Sequence, residues 1–444
     1  MLDNYSVPVK EKSVIMYILQ KDGRFHYINT RLNNRSYITP LVTDTHLHVL
    51  GLGEKLYFPS LERKNLKEIE DIIEKLLKNN PKEIILRGWS EEFAKPSKLF
   101  LDNIANNLPI ILVRRCSHLA IVNSKVLEIV DFSDCREYMD YVNGIVKEKA
   151  LEKIYAVIDS KAYTTEIWNH AKDYLLDKGY GYVHSDDLHG LYKDELPFKS
   201  TDNLKVYEKV AVTNYEQLIS YQKDGYFDKF SCVKIYLDGS LGARTAYLLE
   251  KYNDDEENFG IKLWKDEELI KVLDFCEKNN LHLAVHAIGD GAIEQLLYVF
   301  EKVKPRLVHR VIHAMVMSTD QIERIKKLNL IVDIQPQFIE SDKGFINKRL
   351  GRNVDKAFNF SKLYKTGVSL FISSDAPVED PDWIRDLIRL DKLGIPYCYS
   401  LYQITYAPEF IDNFDRGSTI SEQALIFNDN PFNQISVPKV YNNK

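Results

Sequence analysis

Residues 43–51 read TDTHLHVLG: two histidines one residue apart, just behind an aspartate, at the end of the run PLVT. Side chains alternate across a strand, so His46 and His48 address one point on one face, while Thr45 and Leu47 turn to the other. Asp44 shares the histidines' face one pleat deeper, where it can orient a ligand. A single strand histidine is more often a hydrogen-bonded structural residue, and HxH alone is a weak sign of a metal. Whether this strand is ordinary or part of a site depends on what the rest of the chain brings to the same place.

Further along, short β-branched runs alternate with amphipathic helical stretches, the pattern of a parallel sheet covered by helices. The runs are YGYVHSD (180–186), KVYEKVAVT (205–213), SCVKIYLDG (231–239), LHLAVHAIG (281–289), HRVIHAM (309–315), LIVDIQPQ (330–337) and VSLFISSD (368–375). With PLVTDTHLH (40–48) they make eight strands, which predicts a (β/α)8 TIM barrel of the α/β class. Ser318 followed by Gln321 is a capping-box start for a helix carrying Ile322, Ile325 and Leu328 on one face. About 130 residues separate strands one and two, far more than a βα connection needs, and predict an inserted domain. Within it NLKEIEDIIEKLLKNN (65–80) carries a helical apolar stripe, and EIILRGW and PIILVRR read as strands. The first 40 residues look like short strands turning at KDGR, and QALIFNDNPF near the C-terminus looks like another. The expected domains are a small β-sandwich from 1–40 and 416–444, the barrel from 41–50 and 171–415, and an inserted α/β substrate-capping domain over 51–170.

Composition narrows the class without identifying it. With 45% hydrophobic and 28% charged residues the chain is an ordinary soluble globular protein, and its length of 444 residues allows a large core. A net charge of -6 gives no electrostatic reason to expect nucleic acid or an anionic membrane as partner. Five cysteines, at 116, 135, 232, 276 and 398, form no CxxC pair, so neither a disulfide framework nor a thiolate metal site is expected. VIMYIL (14–19) is too short for a membrane span and has no signal-peptide cleavage site, so the expected compartment is cytoplasmic. A homo-oligomer is allowed but not required.

A barrel supplies a test, because its catalytic groups project from the C-terminal ends of the strands. His46 and His48 end strand one, Lys234 lies in strand four, His286 ends strand five, His313 ends strand six and Asp375 ends strand eight. Independent structural histidines have no reason to share that location, and together the six residues predict a metal site. His26, His170, His189, His282 and His309 lack the placement and read as surface or supporting groups, while His184 is ambiguous because it ends strand two.

The constellation resembles the amidohydrolase superfamily, and more specifically the amidohydrolase 3 family of metal-dependent hydrolases. The matching stretches are DTHLH, RGW (87–89), SHLAIVNSKVL (117–127), VKIYLDGSLGARTA (233–246), AVHAIGDGAIE (284–294), IHA (312–314) and SSDAPVEDPDW (373–383), spread over nearly the whole chain. The resemblance implies a (β/α)8 barrel with a sandwich built from both ends and a centre of two divalent metal ions. His46 and His48 would hold the more buried ion and His286 and His313 the more exposed one. Asp375 would touch the first ion and act as proton shuttle. Lys234 would carry a carbamate derived from carbon dioxide that bridges both. A lysine, with an ordinary pKa of about 10.4, becomes a useful nucleophile only where burial disfavours its charge, and the competing reading of Lys234 is a buried salt bridge. The sequence departs from the family pattern in having TPLVTD where proline-glycine is usual, and in its shortened terminal segments.

Imidazole and carboxylate donors suit zinc first, with iron, manganese or nickel as alternatives. Two such ions about 3.5–4 Å apart hold a hydroxide at neutral pH and polarise a carbonyl. The expected reaction is therefore hydrolysis of an amide-type C–N bond in a small molecule by a metal-bridging hydroxide, with catalytic Asp375 passing the proton to the leaving amine. His118, Arg87, Trp89 and Arg244 are the candidate substrate-binding residues, with Arg115 beside them; surface salt bridges are the competing reading for Arg87 and Arg115. A mononuclear deaminase of the same superfamily is the rival chemistry, for which HAIGDGAIE offers Asp290 and Glu294. An inactive barrel acting as a binding protein is the rival from outside enzymology.

Overall fold

The computed structural model describes residues 5–7, 16–21, 24–28, 37–114, 119–147, 150–151, 153–154, 164–188, 192–199, 202–414, 423–427 and 439–442. They divide into two compact units, Met1–Val49 with Lys172–Lys444, and Leu50–Ala171.

In the first unit, Val42–Leu47 (β1), Tyr180–Ser185 (β2) and Lys205–Glu208 (β3) form a parallel sheet with β2 in the middle. After Lys209 the line of β3 continues as Val210–Ala211, which opens a second parallel sheet. Its further strands follow in chain order: Cys232–Tyr236 (β4), His282–Ala287 (β5), Arg310–His313 (β6), Ile331–Ile334 (β7) and Ser369–Ile372 (β8). Backbone hydrogen bonds join the two sheets on both sides: Lys209 N–H donates to Ser185 O at 2.8 Å, and Asp375 N–H to His46 O at 2.9 Å. The Thr45 hydroxyl adds a bond to Ile372 O at 3.1 Å. Strands covered on both faces should be apolar almost throughout. VIH, IVDI and LFI are so, and the polar residues they contain are buried with them.

In this unit the register sets which strand ends meet. Tyr236 pairs with His286 between β4 and β5, and Ala287 with His313 between β5 and β6. Between β1 and β2 the register slips, Val183 facing Asp44 but Ser185 facing Leu47. Such irregularities re-aim side chains at a strand end, here beside His46 and His48.

Helices separate the strands. Thr319–Lys327 (α1) starts as its sequence predicts, with Ser318 and Gln321 exchanging side-chain-to-backbone bonds of 3.2 and 3.0 Å, and Ile322 and Ile325 fully buried. Asp290–Val303 (α2) follows the histidine strand β5 through Gly289. A Cβ at Gly289 would lie 1.9 Å from Tyr247 O, so only glycine lets that backbone cross here. Both chain ends contribute to one six-stranded sheet, ordered Lys439–Asn442, Gln423–Phe427, Tyr37–Thr39, Tyr5–Val7, Met16–Lys21 and Arg24–Ile28. Among the described residues the two ends form this one sheet, where the sequence predicts a two-sheet sandwich.

The second unit, Leu50–Ala171, is layered in its own right. Its five-stranded sheet runs Ile84–Trp89, Ile110–Arg114, Leu119–Val122, Ile145–Lys147 and Met139–Asp140. The strand period of two sends Ile85, Ile111 and Val113 into one apolar cluster and Ile84, Leu86, Ile110 and Leu112 into another. The helix Leu66–Leu77 covers the second cluster with Ile69 and Ile73, and its N-terminus is closed by a reciprocal Asn65–Glu68 capping box. Among the described residues no helix is long and apolar enough to cross a membrane.

Candidate metal centre

Four histidines, a lysine and an aspartate come together at the C-terminal ends of β1, β4, β5, β6 and β8. His46 Nε2 lies 3.2 Å from Asp375 Oδ1, and His48 Nε2 lies 3.7 Å from the same oxygen. The His313 ring stands 5.4 Å from that of His46 and 4.6 Å from that of His286, edge to face in both cases. Donor atoms of His46, His313 and Asp375 lie within 4.8 Å of one another, as do those of His46, His48 and Asp186. His313 and Asp375 both take left-handed backbone, at φ 78° and 59°. For residues with a Cβ that costs about 1–2 kcal/mol each, and such strain persists where the surroundings hold the side chain in place.

Asp186 was not expected from the sequence. It follows β2 with its side chain fully buried; one oxygen lies 3.2 Å from His48 Nδ1, and the other accepts from Lys234 Nζ at 2.8 Å and the Tyr236 hydroxyl at 2.7 Å. Lys234 thus takes part in a buried salt bridge. His184, two residues earlier on the same face, is engaged elsewhere: Nε2 meets Asp412 at 2.8 Å and Nδ1 meets Arg310 at 2.8 Å. Arg310 is itself clamped bidentately on Asp333. Alternation along the strand puts both residues on one side of β2 without saying which of them reaches the site; the contacts of Asp186 with His48 and of His184 with Asp412 decide it.

Ring-nitrogen partners decide what each imidazole can present. His48 turns Nδ1 to Asp186, His286 turns Nε2 to Gly239 O at 3.1 Å, and His313 turns Nδ1 to Gln335 Oε1 at 2.9 Å. In His286 and His313 the opposite nitrogen is the one turned from these partners, and His48 Nε2 lies 3.7 Å from Asp375. His46 Nδ1 is buried and has no hydrogen-bond partner. Burial, followed by the positive charge of Lys234, keeps His46 neutral and holds the His286 pKa down at about 3; burial and then His286 keep His313 neutral. The rings therefore offer lone pairs, not protons.

The carboxyl groups point the same way. Burial pushes Asp375 up to about 8 and Asp44 up to about 7, the latter despite bonds from Ser374. Asp186, Asp375 and Asp44 are gathered out of water with two buried lysines, Lys234 and Lys209, near them, and three carboxyl groups against two cations call for further positive charge. Neutral imidazoles with their lone pairs inward, around carboxylates that lack enough cation, fit divalent metal ions.

A family model described as the amidohydrolase family matches residues 35–394. The chain belongs to the amidohydrolase family. It is 31% identical over 385 residues to the protein YtcJ of Bacillus subtilis, covering 79% of this chain and 72% of the relative. It is 21% identical to an N-substituted formamide deformylase of Arthrobacter pascens, covering 70% of this chain and 65% of the relative. Two solved structures of metal-dependent hydrolases superpose on it with a TM-score of 0.75 each: one from Pyrococcus furiosus, at 25% identity over 94% of this chain and 95% of that one, and one from Pyrococcus horikoshii, at 26% identity over 94% of both.

The remaining candidate residues of this amidohydrolase have other engagements. Arg87 pairs with Glu54 at 2.6 Å, and the Trp89 indole donates to Leu112 O at 2.7 Å within the core of the second unit. Arg244 is held bidentately by Asp254. His118 and Arg115 lie outside the described residues. Asp290 accepts from Leu249 N–H and pairs with Lys356, and Glu294 pairs with Arg324, so neither joins the histidine cluster.

Proposed function

We propose that the eight parallel strands close into a (β/α)8 barrel and that the cluster at their C-terminal ends holds two divalent ions, zinc by preference, for hydrolysis of an amide-type C–N bond in a small molecule. The observation that carries this reading is the convergence of His46, His48, Lys234, His286, His313 and Asp375 from five strands, with three of the four imidazoles already committed on their outer nitrogen. Ions bound there supply a hydroxide nucleophile at neutral pH and polarise the carbonyl under attack. His46 and His48 with Asp375 form one half of the ligand set and His286 with His313 the other. Were Lys234 carbamylated by carbon dioxide, with release of a proton, it would add carboxylate oxygens to the ligand set and give up its salt bridge to Asp186. Asp375, a buried carboxyl group beside the reacting centre, collects the proton of the attacking water on a carboxylate oxygen and delivers it to the leaving nitrogen. The likeness to a deformylase of N-substituted formamides supports an amide substrate. Asp290 and Glu294, which the deaminase reading would need, are occupied outside the cluster.

The test is metal analysis of the purified protein together with turnover on a panel of N-acyl, N-formyl and cyclic amides, with and without added zinc. Two ions per chain and metal-dependent release of an amine are expected. Full metal occupancy without turnover on any amide would overturn the hydrolase reading, and one ion per chain would overturn the binuclear one.

A further inference from the structure

Gln335 follows β7 and is buried between His313 and Ser373. Its Oε1 lies 2.9 Å from His313 Nδ1, while its Nε2 faces Ser373 Oγ at 2.9 Å and Asp333 O at 3.3 Å. A backbone carbonyl only accepts, so the amide must present its N–H to Asp333 and its oxygen to the histidine. An oxygen there can only receive, which requires the proton of His313 to sit on Nδ1. The lone pair is then on Nε2. Phe338 lies against the ring from outside, nearly parallel at 27°.

We propose that Gln335 is a positioning residue that locks His313 in its Nδ1–H tautomer, so that Nε2 is ready to bind a metal ion before any ion arrives. The inference deepens the metal-centre reading and rests on it for its purpose, although the tautomer can be observed without metal. Asp186 serves His48 through a carboxylate; Gln335 serves His313 through a neutral amide, adding no negative charge to a cluster already rich in carboxyl groups.

The experiment uses the full chain, stripped of metal and labelled with 15N-histidine, and reads the long-range nitrogen–proton correlations of His313, assigned by their loss in His313→Gln. A protonated Nδ1 and an unprotonated Nε2 are expected, and the opposite pattern overturns the proposal whatever the metal content. Zinc affinity measured by chelator competition supplies the second arm. Gln335→Met removes the acceptor and should weaken zinc by about 10- to 100-fold. Gln335→Glu still accepts from Nδ1–H, and should keep the tautomer and most of the affinity. Wild-type affinity in Gln335→Met, or an equal loss in both variants, would overturn the proposal. If Gln335→Met does not fold, the wild-type spectrum decides alone. A wild type that takes up no zinc defeats the metal reading, while the same spectrum still decides the role of Gln335.

Discussion

Lys234 and Asp186 form an ion pair of 2.8 Å in which neither side chain is exposed to solvent. Removing one partner of such a pair leaves a charge stranded in the interior, which costs about 3–5 kcal/mol, whereas replacing both with neutral groups costs far less. Asp186→Ala should therefore lower the unfolding free energy of the metal-free protein by about that amount, and the double variant Asp186→Asn with Lys234→Met should recover most of it. Urea denaturation of the three proteins measures this. A loss below about 1 kcal/mol in Asp186→Ala would mean that the pair is worth no more than a surface contact.

Lys234 also separates the bridged site from a plain salt bridge by activity. Lys234→Ala should abolish amide hydrolysis, and short-chain carboxylic acids added to the assay should restore part of it by occupying the place of the carbamate. An unaffected Lys234→Ala variant would remove the bridged site from consideration.

Gly289 carries the chain from β5 into α2 where the backbone of Tyr247 passes within contact, and its N–H donates to Asp238 at 2.8 Å. Its φ of -81° is open to any residue, so the requirement is one of space and not of conformation. Gly289→Ala forces the two segments apart, at a cost of about 1–3 kcal/mol. Because His286 lies three residues before it, near the end of β5, zinc affinity should fall together with the thermal midpoint. A normal melting curve would show that the crossing has slack.

Away from the metal cluster, His309 gives the fold a dependence on pH. Burial holds its pKa down at about 4, against a hydrogen bond from Nε2 to Glu277 of 3.0 Å that acts to raise it, while Nδ1 accepts from Leu283 N–H. His282 opposes its charge as well, and Phe300 packs edge-on to the ring. The unfolded chain takes up this proton near pH 6.5 and the folded chain near 4, so the contribution is whole above pH 6.5 and is lost as pH falls through the window between them. It is worth at most about 3 kcal/mol. The stability difference between wild type and His309→Asn should shrink as the pH is lowered from 7 to 4, and a difference that does not change with pH would sink this account.

Much of the site could be read in the sequence because its ligands obey a local rule: they sit at the ends of strands whose period and apolar character are visible residue by residue. His46 and His48 share a face by alternation alone. The groups that support them follow no local rule. Asp186 was hidden behind the more conspicuous His184, and only the pairing of β2 with β1 shows which of the two reaches the cluster. Gln335 is an unremarked amide in IVDIQPQ until β6 and β8 bring His313 and Ser373 to either side of it. Trp89 shows the opposite failure: an aromatic in a matching motif drew attention as a substrate contact, but its ring and its N–H are used in the core of its own unit.

The six proposed ligands span positions 46 to 375, so more than four fifths of the polypeptide must be made before the last of them is in reach of the first. On the proposed ligand set, complete loading comes only once β8 has been laid beside β1, where Asp375 N–H meets His46 O.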